Sequence, residues 1–292
     1  MDEIVELYRT RARLVLGITA LLQVPAQAVN VVLGIHLVLA SAAFRRYALV
    51  DPGAPAAPLP PLEPGVVADL LGTSGAILLT SAFAAGLTSA VLALVIVRLR
   101  LGREVTVPGA FRALVGRLGA LALTFIAYAL AIATVMTGGV LLSTLPIGLT
   151  RDPGAGGVLV FLGILTFVAF LAGLVFLSTR WAFWPQVVLL EGRAGRGPLG
   201  RSWRLVTGST WRVIGYSLLF GLAAGILGGL LVQLGNLAVD AALPGVDDLV
   251  AAGLRFALGA VSTVLVTPIP AAALTLLYLD LRLRRGEPMP TA

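Results

Sequence analysis

Six apolar stretches, at about 14–42, 71–97, 118–147, 157–179, 213–237 and 251–279, each reach or exceed the roughly 20 helical residues that cross a ~30 Å hydrocarbon core. No soluble core could bury so many. With 58% hydrophobic and 12% charged residues, against about 25% charged in ordinary soluble domains, the chain needs the bilayer as solvent. In hydrocarbon every backbone polar group must be satisfied within the chain, and segments of this length do so as helices. The expected fold class is therefore all-α, a polytopic integral membrane protein with six transmembrane helices in a single domain over 1–292. The charged N-terminal stretch Met1 to Arg13 runs into the first apolar stretch without a small-residue cleavage site, so it reads as part of an uncleaved first helix.

Orientation follows from the basic residues, all 21 of which are arginine. Seventeen fall on the side that carries both termini, and only Arg45, Arg46, Arg151 and Arg255 fall on the other. Cytoplasmic loops retain basic residues, so both termini are expected inside a cell membrane crossed several times. The fourteen acidic residues divide seven and seven. The excess positive charge behind the net +7 thus lies on the inner side and faces an anionic leaflet, which makes the lipid bilayer the expected partner, with other membrane proteins beside it and no nucleic acid. Proline- and glycine-rich loops on the outer side, from Pro52 to Pro64, at Asp152-Pro153-Gly154 and at Leu243-Pro244-Gly245, follow the odd-numbered spans.

Each odd span is preceded on the inner side by an aromatic-arginine pair, Tyr8-Arg9, Phe111-Arg112 or Trp203-Arg204. This pattern suggests three hairpins of about 90 to 100 residues, each led in by a cytoplasmic-face amphipathic helix. In the third lead-in Leu199, Trp203, Val206 and Thr210 share one face, with Arg201 and Arg204 on the other.

Two polar stripes are expected to pack helix against helix, the alternative being a polar path through the bundle. Gln23, Gln27, Asn30, Gly34 and Ser41 recur at helical spacing on the first span, and Ser74, Ser81 and Thr88 lie at heptad spacing on the second. Gly221, Gly225 and Gly229 form a small-residue row on the fifth span, with Gly228 beside it, and predict a close helix contact. Pro25, Pro268 and Pro270 should kink the first and sixth spans, with Thr267 or a neighbour satisfying the freed carbonyls.

Chemistry is scarce. With no cysteine and no lysine there is no thiol nucleophile, thiolate metal site or Schiff base, and His36 alone makes no zinc cluster. No ionisable residue falls at mid-membrane, where proton relays and ion paths are marked; Arg255, nearest to such a place, can snorkel or pair with Asp240 or Asp248. No catalytic residue, cofactor site or metal site is expected. The inner surface carries the remaining candidates: Arg180-Trp181, Glu191, Arg201, Arg204, Tyr278, Asp280, Arg282 and Arg284. Tyr278 and Trp181 suit an aromatic belt. Glu191 and Asp280 suit structural ion pairs, with Arg180, Arg201, Arg204 and Arg284 as partners.

Taken in order, these motifs carry a resemblance. Glu6-Leu7-Tyr8-Arg9 before an apolar helix with Pro25, then Arg180-Trp181 with Pro185 and Glu191, Arg201-Ser202, and Leu277-Tyr278-Leu279-Asp280-Leu281-Arg282 together resemble the glycerophosphoryl diester phosphodiesterase membrane-domain family. Gly286-Glu287 stands where that family usually has glutamate then glycine. The resemblance implies a six-helix bacterial inner-membrane protein without the soluble catalytic barrel of fused relatives, and it transfers no catalytic residue. Three functions stay open: a non-enzymatic accessory or scaffold acting with envelope proteins or lipids, a transporter or channel for a small or amphiphilic molecule, and a membrane-embedded lipid enzyme using Glu191 or Asp280.

Overall fold

A computed structural model of the chain describes residues 2–40, 64–148, 156–245 and 248–290. Ser41, Arg45, Arg46, the prolines from Pro52 to Pro61, Arg151, Asp152-Pro153-Gly154 and the side chains of Tyr8 and Asp248 lie outside that description. The described residues are predominantly helical, with no strand among them. Its helices are α1 (Asp2–Ala40), α2 (Pro64–Arg100), α3 (Val107–Val115), α4 (Leu118–Gly148), α5 (Gly156–Arg180), α6 (Trp184–Glu191), α7 (Gly197–Val206), α8 (Thr210–Ala242), α9 (Asp248–Val266) and α10 (Pro268–Arg284). Six helical segments are long and apolar enough to cross a membrane, with α5–α6 and α9–α10 each counting as one.

Short helices precede the odd spans. Thr106 caps α3 by accepting the Gly109 amide at 3.3 Å, and proline occupies the first turn of both α3 and α7, where its missing N–H costs nothing. Residues 2–10 are the counterpart in α1, because the backbone leaves helical dihedrals at Arg11 (φ −131°, ψ 25°). That break, rather than Pro25, interrupts α1, and the helix continues through Pro25. In the sixth span the prolines do end a helix: α9 stops at Val266 and α10 starts at Pro268. The Thr267 hydroxyl donates to the Thr263 carbonyl at 2.6 Å across this break.

Contacts do not follow the three hairpins. They gather into one compact unit of 1–88 and 222–271, and a second of 89–221 and 272–292.

In the first unit the polar stripes of α1 and α2 meet. The Gln23 side-chain amide donates to Thr88 Oγ1 at 3.2 Å and that of Asn30 to Ser81 Oγ at 2.9 Å. The partners are seven residues apart on each helix and run in opposite senses, the register of an antiparallel seam. Gln27 accepts from Asn30 within the same stripe. Gly34 belongs to a different contact, since a Cβ there would stand 2.8 Å from the Phe256 ring of α9. Gln23 is 1% exposed, so Gln23→Leu should strand no amide but break the pair; coupling to Thr88→Val in a double-mutant cycle of thermal stability is expected at about 0.6–2 kcal/mol. Coupling indistinguishable from zero would remove the seam's polar contribution.

The glycine row of the fifth span forms no packing seam among the described residues. A Cβ added at Gly221, Gly225 or Gly229 would meet no described atom within 4 Å. Close approach instead occurs at Gly228, whose Cβ would lie 3.3 Å from Ser262 Oγ, and at Gly235, whose Cβ would lie 2.8 Å from Leu258. The Ser262 hydroxyl donates to the Gly228 carbonyl at 3.0 Å, so the α8–α9 contact is set by this pair and lies about a sixth of a turn or more away from Gly225 and Gly229. Nearer the loop, Arg255 pairs with Asp240 at 2.8 Å.

In the second unit α4 and α5 pack together, the Phe170 ring filling the space a side chain at Gly139 would need. Ala90 to Val97 of α2 are almost wholly buried, whereas α4, α5 and α8 expose many leucines, valines and phenylalanines as lipid-facing helices do.

Candidate functional site

The inner-face motifs converge in the second unit. After Arg180 the chain turns through Trp181, Ala182 and Phe183 and restarts as α6, with Pro185 in its first turn. Ser202 of α7 stitches this break: its hydroxyl accepts the Phe183 amide at 3.1 Å and donates to the Arg180 carbonyl at 2.9 Å. Trp184 to Leu189 are buried, so the segment around Pro185 is a buried helix, and Gln186 donates to Ser89 of α2 at 2.8 Å. The apolar run Val187 to Leu190 carried that signal in the sequence.

Burial of α6 places Glu191, its last residue, under the ends of α7 and α10. Glu191 Oε1 accepts from the Tyr278 hydroxyl at 2.9 Å and Arg282 Nη1 at 3.0 Å, and Oε2 accepts from Arg201 Nε at 3.1 Å. Arg193 lies 3.4 Å away on the exposed side. The side chains of Glu191, Arg201 and Arg282 are only 11%, 14% and 11% exposed, so these charges are held largely out of solvent.

A second carboxylate completes the network, and sequence reasoning singled it out only as a departure from a pattern. Gly286 takes φ +69°, a left-handed conformation open to glycine, and lets Glu287 N–H bond the Arg282 carbonyl while Gly286 N–H bonds that of Leu283. This helix-ending turn folds Glu287 back onto Arg201, which donates to it, with Arg282 Nε at 3.4 Å. Two carboxylates thus face two buried guanidiniums. Burial disfavours the Glu287 carboxylate, but the hydrogen bond from Arg201 and the charges of Arg201, Arg282 and Arg285 outweigh it and hold its pKa below the ordinary value. Burial likewise opposes charging of Arg201, but the hydrogen bonds it donates to Glu287 and Glu191, together with their charges, outweigh it and raise its pKa.

A pH dependence follows from Glu287. Its lowered pKa contributes stability that is fully present above the unfolded value of about 4.3 and is lost as pH falls through the folded value. The melting temperature in detergent should hold above about pH 5 and drop below about pH 4. Glu287→Gln should remove part of that acid sensitivity; an unchanged acid profile in the variant would assign it elsewhere.

The other candidates have different places. Arg201 does not turn outward from α7 but points into the carboxylate pair, and the buried face of α7 is Pro198, Leu199, Ser202, Leu205 and Val206, with Trp203 38% exposed. Tyr278 is not an aromatic-belt residue: it is fully buried against Phe183 and Glu191. Trp181 packs with Tyr128 and Trp203. Asp280 pairs with Arg284 at 2.9 Å and Arg212 at 3.5 Å, both near the surface. Arg180 reaches no carboxylate among the described residues; it donates to Thr207 Oγ1 at 2.8 Å, with its guanidinium 4.8 Å from the Phe176 ring centre and 5.0 Å from that of Trp203. Arg204 contributes its carbonyl, which accepts from Arg285, as does that of Thr207. Arg285, at the end of α10, thereby satisfies the last carbonyls of α7.

In the first unit a groove of about 710 Å³ is lined by Gly225, Gly229, Gln233, Asn236, Ser262, Thr263 and Thr267, among others. Its polar groups are amides and hydroxyls, and Asn236 Oδ1 is buried with no partner among the described residues. No cluster of three or more histidine, cysteine, aspartate or glutamate side chains suited to a metal occurs among the described residues.

No curated protein and no solved structure matches the chain. A family described as a domain of unknown function, DUF7847, matches residues 9–281, nearly the whole length, and the chain belongs to that family.

Proposed function

We propose that this is a non-enzymatic accessory or scaffold protein of a bacterial cytoplasmic membrane, with both termini inside, acting with lipids or other envelope proteins. The observation that carries the reading is how Glu191 is held: Oε1 accepts from Tyr278 and Arg282 and Oε2 from Arg201, with Arg193 3.4 Å away, so the carboxylate is tied into an ion-pair network instead of standing free as a base. Asp280 is paired and near the surface. Its motif resemblance to the phosphodiesterase-associated membrane domains supports the same reading, because there the chemistry belongs to a separate barrel. The test is incubation of the purified chain with defined phospholipids, with products followed by mass spectrometry. Turnover lost in Glu191→Gln or Asp280→Asn would overturn the proposal. Orientation is tested by an impermeant maleimide, which should reach Ala56→Cys from outside and Ala194→Cys only after permeabilisation.

A second reading, a transporter or channel for a small or amphiphilic molecule, is favoured by the groove lined by Gln233 and Asn236. Solute flux in proteoliposomes that disappears in Asn236→Leu would establish it over the first.

A further inference from the structure

A second cavity, of about 580 Å³, opens in the second unit where α7 gives way to α8, lined by Phe176, Arg180, Gly208 to Arg212 and Ile214. We propose that it binds a phosphate-bearing anion. The two guanidiniums differ in how they are held. Arg180 is fixed against the Phe176 and Trp203 rings and by the hydrogen bond its Nη1 donates to Thr207. Arg212 lies 3.5 Å from Asp280, a carboxylate already taken by Arg284 at 2.9 Å, which leaves most of the Arg212 fork available. No acidic side chain lines the cavity.

The backbone adds to the charge. Gly208 at φ +87° turns the chain out of α7, and the first helical bond of α8 runs from Val213 N–H to the Ser209 carbonyl. The amides of Thr210, Trp211 and Arg212 therefore have no carbonyl one turn earlier to bond, and they stand at the positive end of a 33-residue helix. Guanidiniums, free amides and the Ser209 hydroxyl together are the donor set that recognises phosphate oxygens, while the Thr210 hydroxyl is directed to the Val206 carbonyl at 3.5 Å. Trp211, 85% exposed at the rim, and amphipathic α7 beside it put the cavity at the level where lipid headgroups lie.

Two sources share this chemistry, the headgroup of an anionic phospholipid and a free phosphate. The inference deepens the lipid side of the reading above but stands or falls on its own measurement. The full chain in an uncharged detergent is titrated, at constant ionic strength, with dihexanoylphosphatidylglycerol, dihexanoylphosphatidylcholine and sodium phosphate while tryptophan emission is recorded. A saturable shift with the glycerol lipid, absent in Trp211→Phe, is expected, with at least tenfold weaker response to the choline lipid.

Arg212→Gln should weaken binding about tenfold, and so should Thr210→Asp, which sets a like charge in the cavity yet suits the first turn of a helix. Both should keep the wild-type melting temperature. Equal affinity for the two lipids, no saturable shift, or indifference to both variants overturns the site. Phosphate binding as tightly as the glycerol lipid, with the same dependence on the variants, assigns the site to free phosphate and removes its support from the lipid reading.

Discussion

Glu191→Ala should cost about 3–5 kcal/mol of stability, the largest loss expected of any single side chain on the inner face. The mutation leaves Arg201 and Arg282, both almost buried, facing only Glu287, and strips Tyr278 of the acceptor for its buried hydroxyl. Desolvating a charge is tolerable only while its counter-charge is present, so the loss comes from the stranded arginines more than from the missing hydrogen bonds. Glu191→Gln should fall between, because an amide oxygen still accepts from Tyr278. Asp280→Asn serves as the contrast: its pairs with Arg284 and Arg212 are exposed, and the change should stay within about 0.5 kcal/mol. Unfolding by heat or by a denaturing detergent reads the difference. Equal small losses for Glu191→Ala and Asp280→Asn would mean that water reaches the network and relieves it.

Gly228→Leu and Gly235→Leu should each destabilise the chain by about 1–3 kcal/mol through overpacking, while Gly225→Leu changes stability little. At Gly228 a larger side chain displaces Ser262 and breaks its bond to the helix carbonyl, and at Gly235 it meets Leu258 at contact distances that carbon atoms do not share. At Gly225 it enters an open groove. The three variants are compared by thermal stability in one detergent. A Gly225→Leu loss as large as that of Gly228→Leu would restore the row of Gly221, Gly225 and Gly229 as a contact surface.

That reversal shows where sequence reading reaches its limit. Helix α8 has glycine at 221, 225, 228, 229 and 235, and spacing alone cannot say which of these meets a partner, since it fixes the faces of one helix but not the rotation of that helix against the next. The polar stripe of α1 was more legible. An amide in hydrocarbon needs a partner whatever the rotation, and Ser81 and Thr88 supplied it at matching heptad spacing. The ion network was legible in its members and not in its wiring. Glu191, Arg201, Tyr278 and Arg282 stand out as polar residues at helix ends, but Glu287 joins them only because Gly286 folds the chain back, and Asp280 stays outside them.

The sequence by itself determined the all-helical class and the six membrane-length segments, because apolar length and the need to satisfy backbone polar groups in hydrocarbon leave few alternatives. It also determined the interruption of the sixth span at Pro268, since proline chemistry acts within a few residues. The tertiary structure alone decided that Arg201 turns inward, that Tyr278 is a core residue and that Arg180 is held by aromatic rings. Each of these depends on two or more segments meeting across scores of residues of chain, and the free energy of a buried charge or an aromatic contact is a property of that meeting and not of either segment alone.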